Sequence, residues 1–303
     1  MIRGEVAMNN ILEALRAANI CYQTFGAQGA IAHVNGGGGE GGRCIVLYAD
    51  SCNYQSVLNV VVDLAATADF EGSVYAFFAG DDSCGELEQS YFVDMDVTAC
   101  IMPMLGDGIL PEQIGLSCGK VLASRDELTI KVASKFTCDE VALDRIRVVE
   151  ALADLMMRIK GLESEDCKIQ IGNVVAQSVN TPIPLNASVE SGIYCLKDGV
   201  RSSVMQMINN TITELEYKYE VALDAVSKAC EPYVENDSEL IGKAVTVVHN
   251  AGYQVQECEA VFSSHRFGYL SRRFPSLMYY YCGDALATNS EFLRSVVLDI
   301  LNR

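Results

Sequence analysis

Apolar and polar positions alternate along this chain with two periods, and the switches between them divide it into segments. Residues 5–18 place Val6, Ile11, Leu12 and Leu15 at helical spacing. Residues 29–34 and 44–48 are apolar runs suited to strands, joined by the glycine run 36–42, which predicts a hairpin tip. A phosphate-binding loop would open a helix, and here a strand follows. Residues 53–68 predict a helix and 72–78 a strand buried on both faces. Strand, helix and strand at this spacing imply a parallel crossover, with Asp81 and Asp82 just past its second strand.

A second pattern begins near Asp126. Leu128, Ile130 and Val132 alternate with polar residues, as in a strand with one solvated face. Residues 139–160 predict a helix, with Val141, Ile146, Val149, Leu152 and Met156 on one side. Ile169, Ile171 and Val174 mark a strand, 189–196 another, and 199–213 a second helix. Leu215, Tyr217, Tyr219, Val221 and Leu223 alternate with charged residues and predict a closing strand. The order β-α-β-β-α-β is that of a ferredoxin-like sandwich. After Pro232 the first pattern resumes. Asn236, Asp237 or Ser238 caps a helix to about 250; strand-like 254–261, a short helix 264–273, an apolar strand 276–281 and a helix 289–301 follow. The chain therefore reads as an α/β domain of residues 1–124 and 231–303, interrupted by a ferredoxin-like domain of residues 125–230.

Composition narrows the function classes. With 303 residues, half of them hydrophobic, a large core is feasible. The net charge of −18 repels phosphate backbones, so no nucleic-acid partner is expected. No apolar run approaches a membrane span, and no signal peptide is visible, which gives a cytoplasmic expectation. The 12 cysteines lie scattered without a C-x-x-C pair and read as reduced, buried thiols.

Six segments, in order, resemble the aminoacylase and hippurate-hydrolase family of metallopeptidase-type zinc amidohydrolases. IVLYAD resembles a strand ending in L-R-A-D, and SVLNVVVDLAA the helix after H-A-C-G-H-D. GSVYAFFAGDD resembles the strand before an acidic pair, and GLSCGKVLASRDELTIKVASK the entry into a lid. TPIPLNASVESGIY and SSHRFGYLSRRFPSLMYYYCGD resemble the later lid and S-E-D-F segments. The resemblance implies a mixed-sheet α/β/α catalytic-type domain with an inserted ferredoxin-like (βαββαβ) lid that serves dimerisation.

Residue by residue, the family's chemistry does not carry over. The metal-binding H-A-C-G-H-D loop is replaced by Asp50, Ser51, Cys52 and Asn53. The general-base position falls on Asp81 and the next ligand on Asp82. A later histidine ligand falls near Met102 and a C-terminal one near Thr288. The lid's substrate-facing His and Arg fall near Cys138 and Cys195, and S-E-D-F reads Ser264-His265-Arg266-Phe267. Thioether and neutral hydroxyl groups are poor ligands for two hard divalent ions. The expectation is therefore no zinc and no cofactor beyond weak magnesium or calcium on aspartates.

Three functions stay open. The chain is a degenerate homologue without zinc hydrolysis that binds a small acyl-amino acid or peptide. Alternatively it is a divergent hydrolase of N-acyl amino acids or dipeptides using Asp50, Asp81, Asp82 and His265. Or it is a structural subunit that forms a homodimer through the lid.

Overall fold

A computed structural model describes residues 2–36, 42–67, 70–80, 86–136, 145–177 and 183–302. In chain order the elements begin α1 Ile2–Ala17, β1 Cys21–Thr24, β2 Gly29–Asn35, β3 Cys44–Ala49, α2 Tyr54–Thr67, β4 Ser73–Ala79 and α3 Glu86–Tyr91. They continue with β5 Val97–Leu105, β6 Gln113–Leu116, β7 Lys120–Leu122, β8 Ser124–Ser134, α4 Val148–Lys160, β9 Cys167–Gln177, β10 Asn186–Cys195, α5 Asp198–Tyr219 and β11 Val221–Glu231. The chain closes with β12 Val234–Glu235, α6 Ser238–Asn250, β13 Gln254–Glu257, α7 Gly268–Ser271, β14 Ser276–Tyr281 and α8 Leu286–Leu301. Two compact units result: Met1–Val121 with Val234–Ala260 and Arg266–Arg303, and Leu122–Tyr233 with Val261–His265.

The first unit is built on an eight-stranded mixed sheet of order β1-β2-β4-β3-β5-β14-β6-β13. Every residue of β3 and of β14 is buried, as expected of central strands covered on both faces. Ile45, Leu47 and Ala49 pack with residues of α1, α2, α6 and α8 in one continuous core. The alternate residue Tyr48 meets Phe77 and Phe267, at ring-centroid distances of 5.3 and 5.6 Å. β3 pairs in parallel with β4 and β5, and β14 in parallel with β5. The carboxyl ends of these four strands therefore form one edge, the place where open α/β sheets bind ligands.

The hairpin expected between the second and third strands is not formed. β4 lies between β2 and β3, antiparallel to the first and parallel to the second. The glycine run thus links two strands that are not neighbours, and its residues 37–41 lie outside the described residues.

The second unit is a four-stranded antiparallel sheet of order β11-β8-β10-β9, with α4 and α5 packed against Leu128, Ile130, Val132, Val189 and Ile193. One expected strand is corrected here: residues 215–219 are helical. Val204, Ile208, Ile212, Leu215 and Tyr219 form a buried stripe three to four residues apart, and Tyr217, on the opposite side, is 90% exposed. The alternation of tyrosines with charges coincided with the end of that stripe. α5 stops at Glu220, whose left-handed conformation (φ 53°, ψ 37°) turns the chain into β11. Two smaller corrections concern the C-terminal part: the strand expected over 254–261 ends at Glu257, and the helix expected over 264–273 is confined to Gly268–Ser271.

No helix among the described residues is long and apolar enough to cross a membrane. Nor are all the thiols buried. Cys44, Cys100, Cys167 and Cys195 are, whereas Cys21, Cys52 and Cys118 are exposed.

His33, on β2, stacks on Tyr75 with centroids 4.1 Å apart, and its Nε2 is buried without a hydrogen-bond partner. Burial holds its pKa below the ordinary 6.5, against an opposing hydrogen bond with Asn35. The unfolded chain then binds the proton more readily than the folded one. The stability this histidine contributes is complete above its unfolded pKa of 6.5 and is lost as pH falls below it. Urea unfolding of wild type and His33→Phe at pH 7.5 and 5.5 checks this: the loss between the two pH values should be smaller in the variant.

Candidate functional site

Asp50 leaves the carboxyl end of β3 and starts α2. Its Oδ1 accepts the backbone N–H groups of Cys52 (2.7 Å) and Asn53 (3.2 Å). Asn53 returns the bond, its Oδ1 accepting the Asp50 N–H at 2.7 Å. This reciprocal pattern is a capping box, in which a side chain at each end satisfies a backbone donor left open by the helix start. Asn53 is 2% exposed, and its Nδ2 donates to the carbonyl of Pro103 on β5, tying the start of α2 to the neighbouring strand.

A buried polar chain lies on the same side of the unit. Tyr279 Oη donates to Asn289 Oδ1 (2.6 Å), and Asn289 Nδ2 donates to Ser56 Oγ (2.7 Å). Asn289 and Ser56 are both fully buried. Ser56 also hydrogen-bonds Tyr281, whose hydroxyl is pushed above its ordinary pKa by burial and, less strongly, by the charges of Asp50 and Cys52. The first turn of α8 and the start of α2 are thus joined by hydrogen bonds through the carboxyl half of β14.

A cavity of about 440 Å³ opens at the carboxyl ends of β3 and β4. It is lined by Met8 and Ile11 of α1, by Asp50 and Ser51, and by Phe78 and Gly80 at the end of β4. Arg266 Nη1 donates to the Gly80 carbonyl at 3.1 Å, so the S-H-R-F segment braces the strand that leads into the acidic pair. Asp81, Asp82 and Cys138 lie outside the described residues.

The remaining candidate positions separate. Met102 is fully buried in β5, in register with Met278 of β14. Thr288 is half-buried in the first turn of α8, next to Asn289. Cys195 is fully buried at the end of β10, among the core residues of the second unit. His265 belongs to the second unit, beside Ser264, whose Oγ donates to Glu231 at 3.0 Å. The structure therefore brings Asp50 and Ser51 to one cavity and leaves Thr288 in the first turn of α8, outside that cavity's lining. It sets Met102 and Cys195 into cores. Sequence reasoning missed Ser56, Tyr279, Tyr281 and Asn289; the signal available was a small polar residue at a buried position of each of two apolar helices.

Among the described residues, which leave out Asp81 and Asp82, no three His, Cys, Asp or Glu side chains converge. One oxygen of Asp50 is engaged by two backbone donors, and the thioether of Met102 is a soft donor. Asp50→Ala is expected to cost about 1 kcal/mol, the usual worth of a helix cap, and Asp50→Ser to restore most of it. Chemical denaturation of the two variants checks this.

No protein-family model and no curated protein matches the sequence. Solved structures do match. The YxeP protein of Bacillus subtilis, a dinuclear metal binding peptidase from the M20 family, is 15% identical over 97% of this chain and 91% of its own, with a TM-score of 0.82. A proposed aminohydrolase from methicillin-resistant Staphylococcus aureus is 17% identical over 98% and 91%, with a TM-score of 0.84. A hydantoinase/carbamoylase family amidase from Burkholderia ambifaria is 11% identical over 97% and 89%, with a TM-score of 0.71. This likeness overturns one expectation. A reading without a metal cofactor does not stand on a fold shared with a dinuclear metal-binding peptidase; that fold points to metal ions. Over nearly its whole length, the chain has the fold of the M20 peptidase YxeP and of the hydantoinase/carbamoylase amidase, with its first α/β unit interrupted in sequence by the second unit.

Proposed function

We propose that this chain is an amidohydrolase-type protein that has given up hydrolysis and uses the cavity at the ends of β3 and β4 to bind a small acyl-amino acid or peptide. The observation that carries this reading is the capping box at Asp50. In the position where the resemblance places a ligand loop, Asp50 and Asn53 are spent on the start of α2 and on the Pro103 carbonyl. The cavity itself suits such a ligand. Apolar Met8, Ile11 and Phe78 face an acyl chain or side chain, while Asp50 and Ser51 offer polar contacts. Isothermal titration with a panel of N-acyl amino acids and dipeptides tests it. Binding of at least one class, weakened by Ile11→Trp through filling of the cavity, is expected. No heat with any of them contradicts the proposal.

The fold neighbours favour a second reading, a divergent metal-dependent amide hydrolase. In it, Asp81 would be the general base and Asp50 and Asp82 would supply carboxylates. A bound metal would polarise the scissile carbonyl and acidify a water. Turnover of the same panel with added zinc, manganese or cobalt, abolished in Asp81→Ala, would establish this reading in place of the first.

A further inference from the structure

Apart from the candidate cleft, two cysteines face each other across neighbouring strands. Cys195, the last residue of β10, is paired in register with Cys167, the first of β9. The Leu196 N–H donates to the Asp166 carbonyl at 3.0 Å, and this places Cys195 and Cys167 in a non-hydrogen-bonded pair of the antiparallel ladder. In such pairs the Cα atoms are about 4.5 Å apart and the side chains approach most closely, within the Cα range that a disulfide spans. The two sulfurs are already 3.5 Å apart.

We propose that Cys167 and Cys195 are a redox-active pair that closes reversibly into a cross-strand disulfide, pinning β9 to β10 at the end of the sheet. Closure needs the sulfurs to move together by roughly 1.5 Å, a rotation of the side chains without strand movement. The Cys195 thiol donates to Cys167 Sγ. That bond draws the Cys167 pKa down and pushes the Cys195 pKa up, so Cys167 is the attacking sulfur. Both side chains are buried, but Cys167 follows the exposed turn of Ser164 and Glu165, where the strand end opens most readily.

The oxidant is a small-molecule disulfide such as glutathione disulfide. The Cys167 thiolate attacks one of its sulfurs and expels a glutathione thiolate, leaving a mixed disulfide. Cys195, losing its proton, attacks Cys167 Sγ and expels the second glutathione. The cysteines lose two electrons and two protons, and the oxidant gains them as two thiols.

Peptide mapping tests this on the folded full-length chain, treated with glutathione disulfide, quenched in acid and alkylated after unfolding. The expected result is a Cys167–Cys195 cross-linked peptide that disappears on reduction. In Cys195→Ala, Cys167 should be trapped as the glutathione mixed disulfide. Recovery of both cysteines alkylated from wild type, while exposed Cys21, Cys52 or Cys118 carries glutathione, overturns the proposal. So does a cross-link that forms only in denaturant.

Discussion

Replacing Asn289 with leucine is expected to destabilise the protein by about 2–4 kcal/mol, although leucine nearly matches its volume. Asn289 is fully buried, accepts from Tyr279 Oη and donates to Ser56 Oγ. Leucine leaves the Tyr279 hydroxyl without its acceptor, and that hydroxyl is fully buried, its pKa raised well above the ordinary value. A buried donor or acceptor left unmade costs about 1–3 kcal/mol, and two are affected. Tyr279→Phe combined with Asn289→Leu should recover part of the loss, since it removes one of the stranded groups. Urea midpoints of the single and double variants measure both effects. A cost under about 0.5 kcal/mol for Asn289→Leu would mean that the chain from Tyr279 to Ser56 does not hold the starts of α8 and α2 together.

The second large effect concerns the other unit. Asp126, only 4% exposed in its side chain, accepts two hydrogen bonds of 2.6 Å from the Arg201 guanidinium. Arg201→Met is expected to cost about 3 kcal/mol, the low end of the range for stranding a buried charge. The lower figure applies because Arg201 is itself 33% exposed and water can reach the vacated place. Asp126→Leu added to Arg201→Met should return most of the stability, as replacing a buried ion pair by apolar groups is often neutral. Thermal unfolding of the two variants checks it. A double variant no more stable than Arg201→Met would show that the pair contributes through packing and not through its charges.

Much of the architecture was legible because the strongest local patterns are also the most buried elements. The apolar run Ser276–Tyr281 is a strand with all six residues buried, and the segment from Cys44 to Ala79 is the expected strand, helix and parallel strand. Where local pattern and tertiary packing disagreed, packing prevailed. Residues 215–219 alternate like a strand, yet Leu215 and Tyr219 complete a helical stripe that buries against the sheet of the second unit. The separation of β2 from β3 was not legible either, because nothing in the glycine run says that a later strand will enter between them.

The site shows the same division. Asp50 was identifiable at the end of a strand, and the spacing Asp50-x-x-Asn53 carries the capping signal. The bond between Asn289 and Ser56 joins residues 233 apart in sequence, and no local pattern reports such a pairing. The absence of histidine at Met102 and Thr288 was legible, but absence of a ligand type gave the wrong expectation about cofactors. The fold neighbours point to metal ions, and so the reading of this chain turns on what it does with an amide when metal is supplied.

The most direct test is therefore turnover of N-acyl amino acids and dipeptides by the purified full-length chain supplemented with zinc, manganese or cobalt. The proposed reading gives product formation no faster than the metal-supplemented blank for every substrate, with binding still detected by titration. Product formation above that blank, lost in Asp81→Ala while the variant remains folded, would contradict it and identify the chain as a working amide hydrolase.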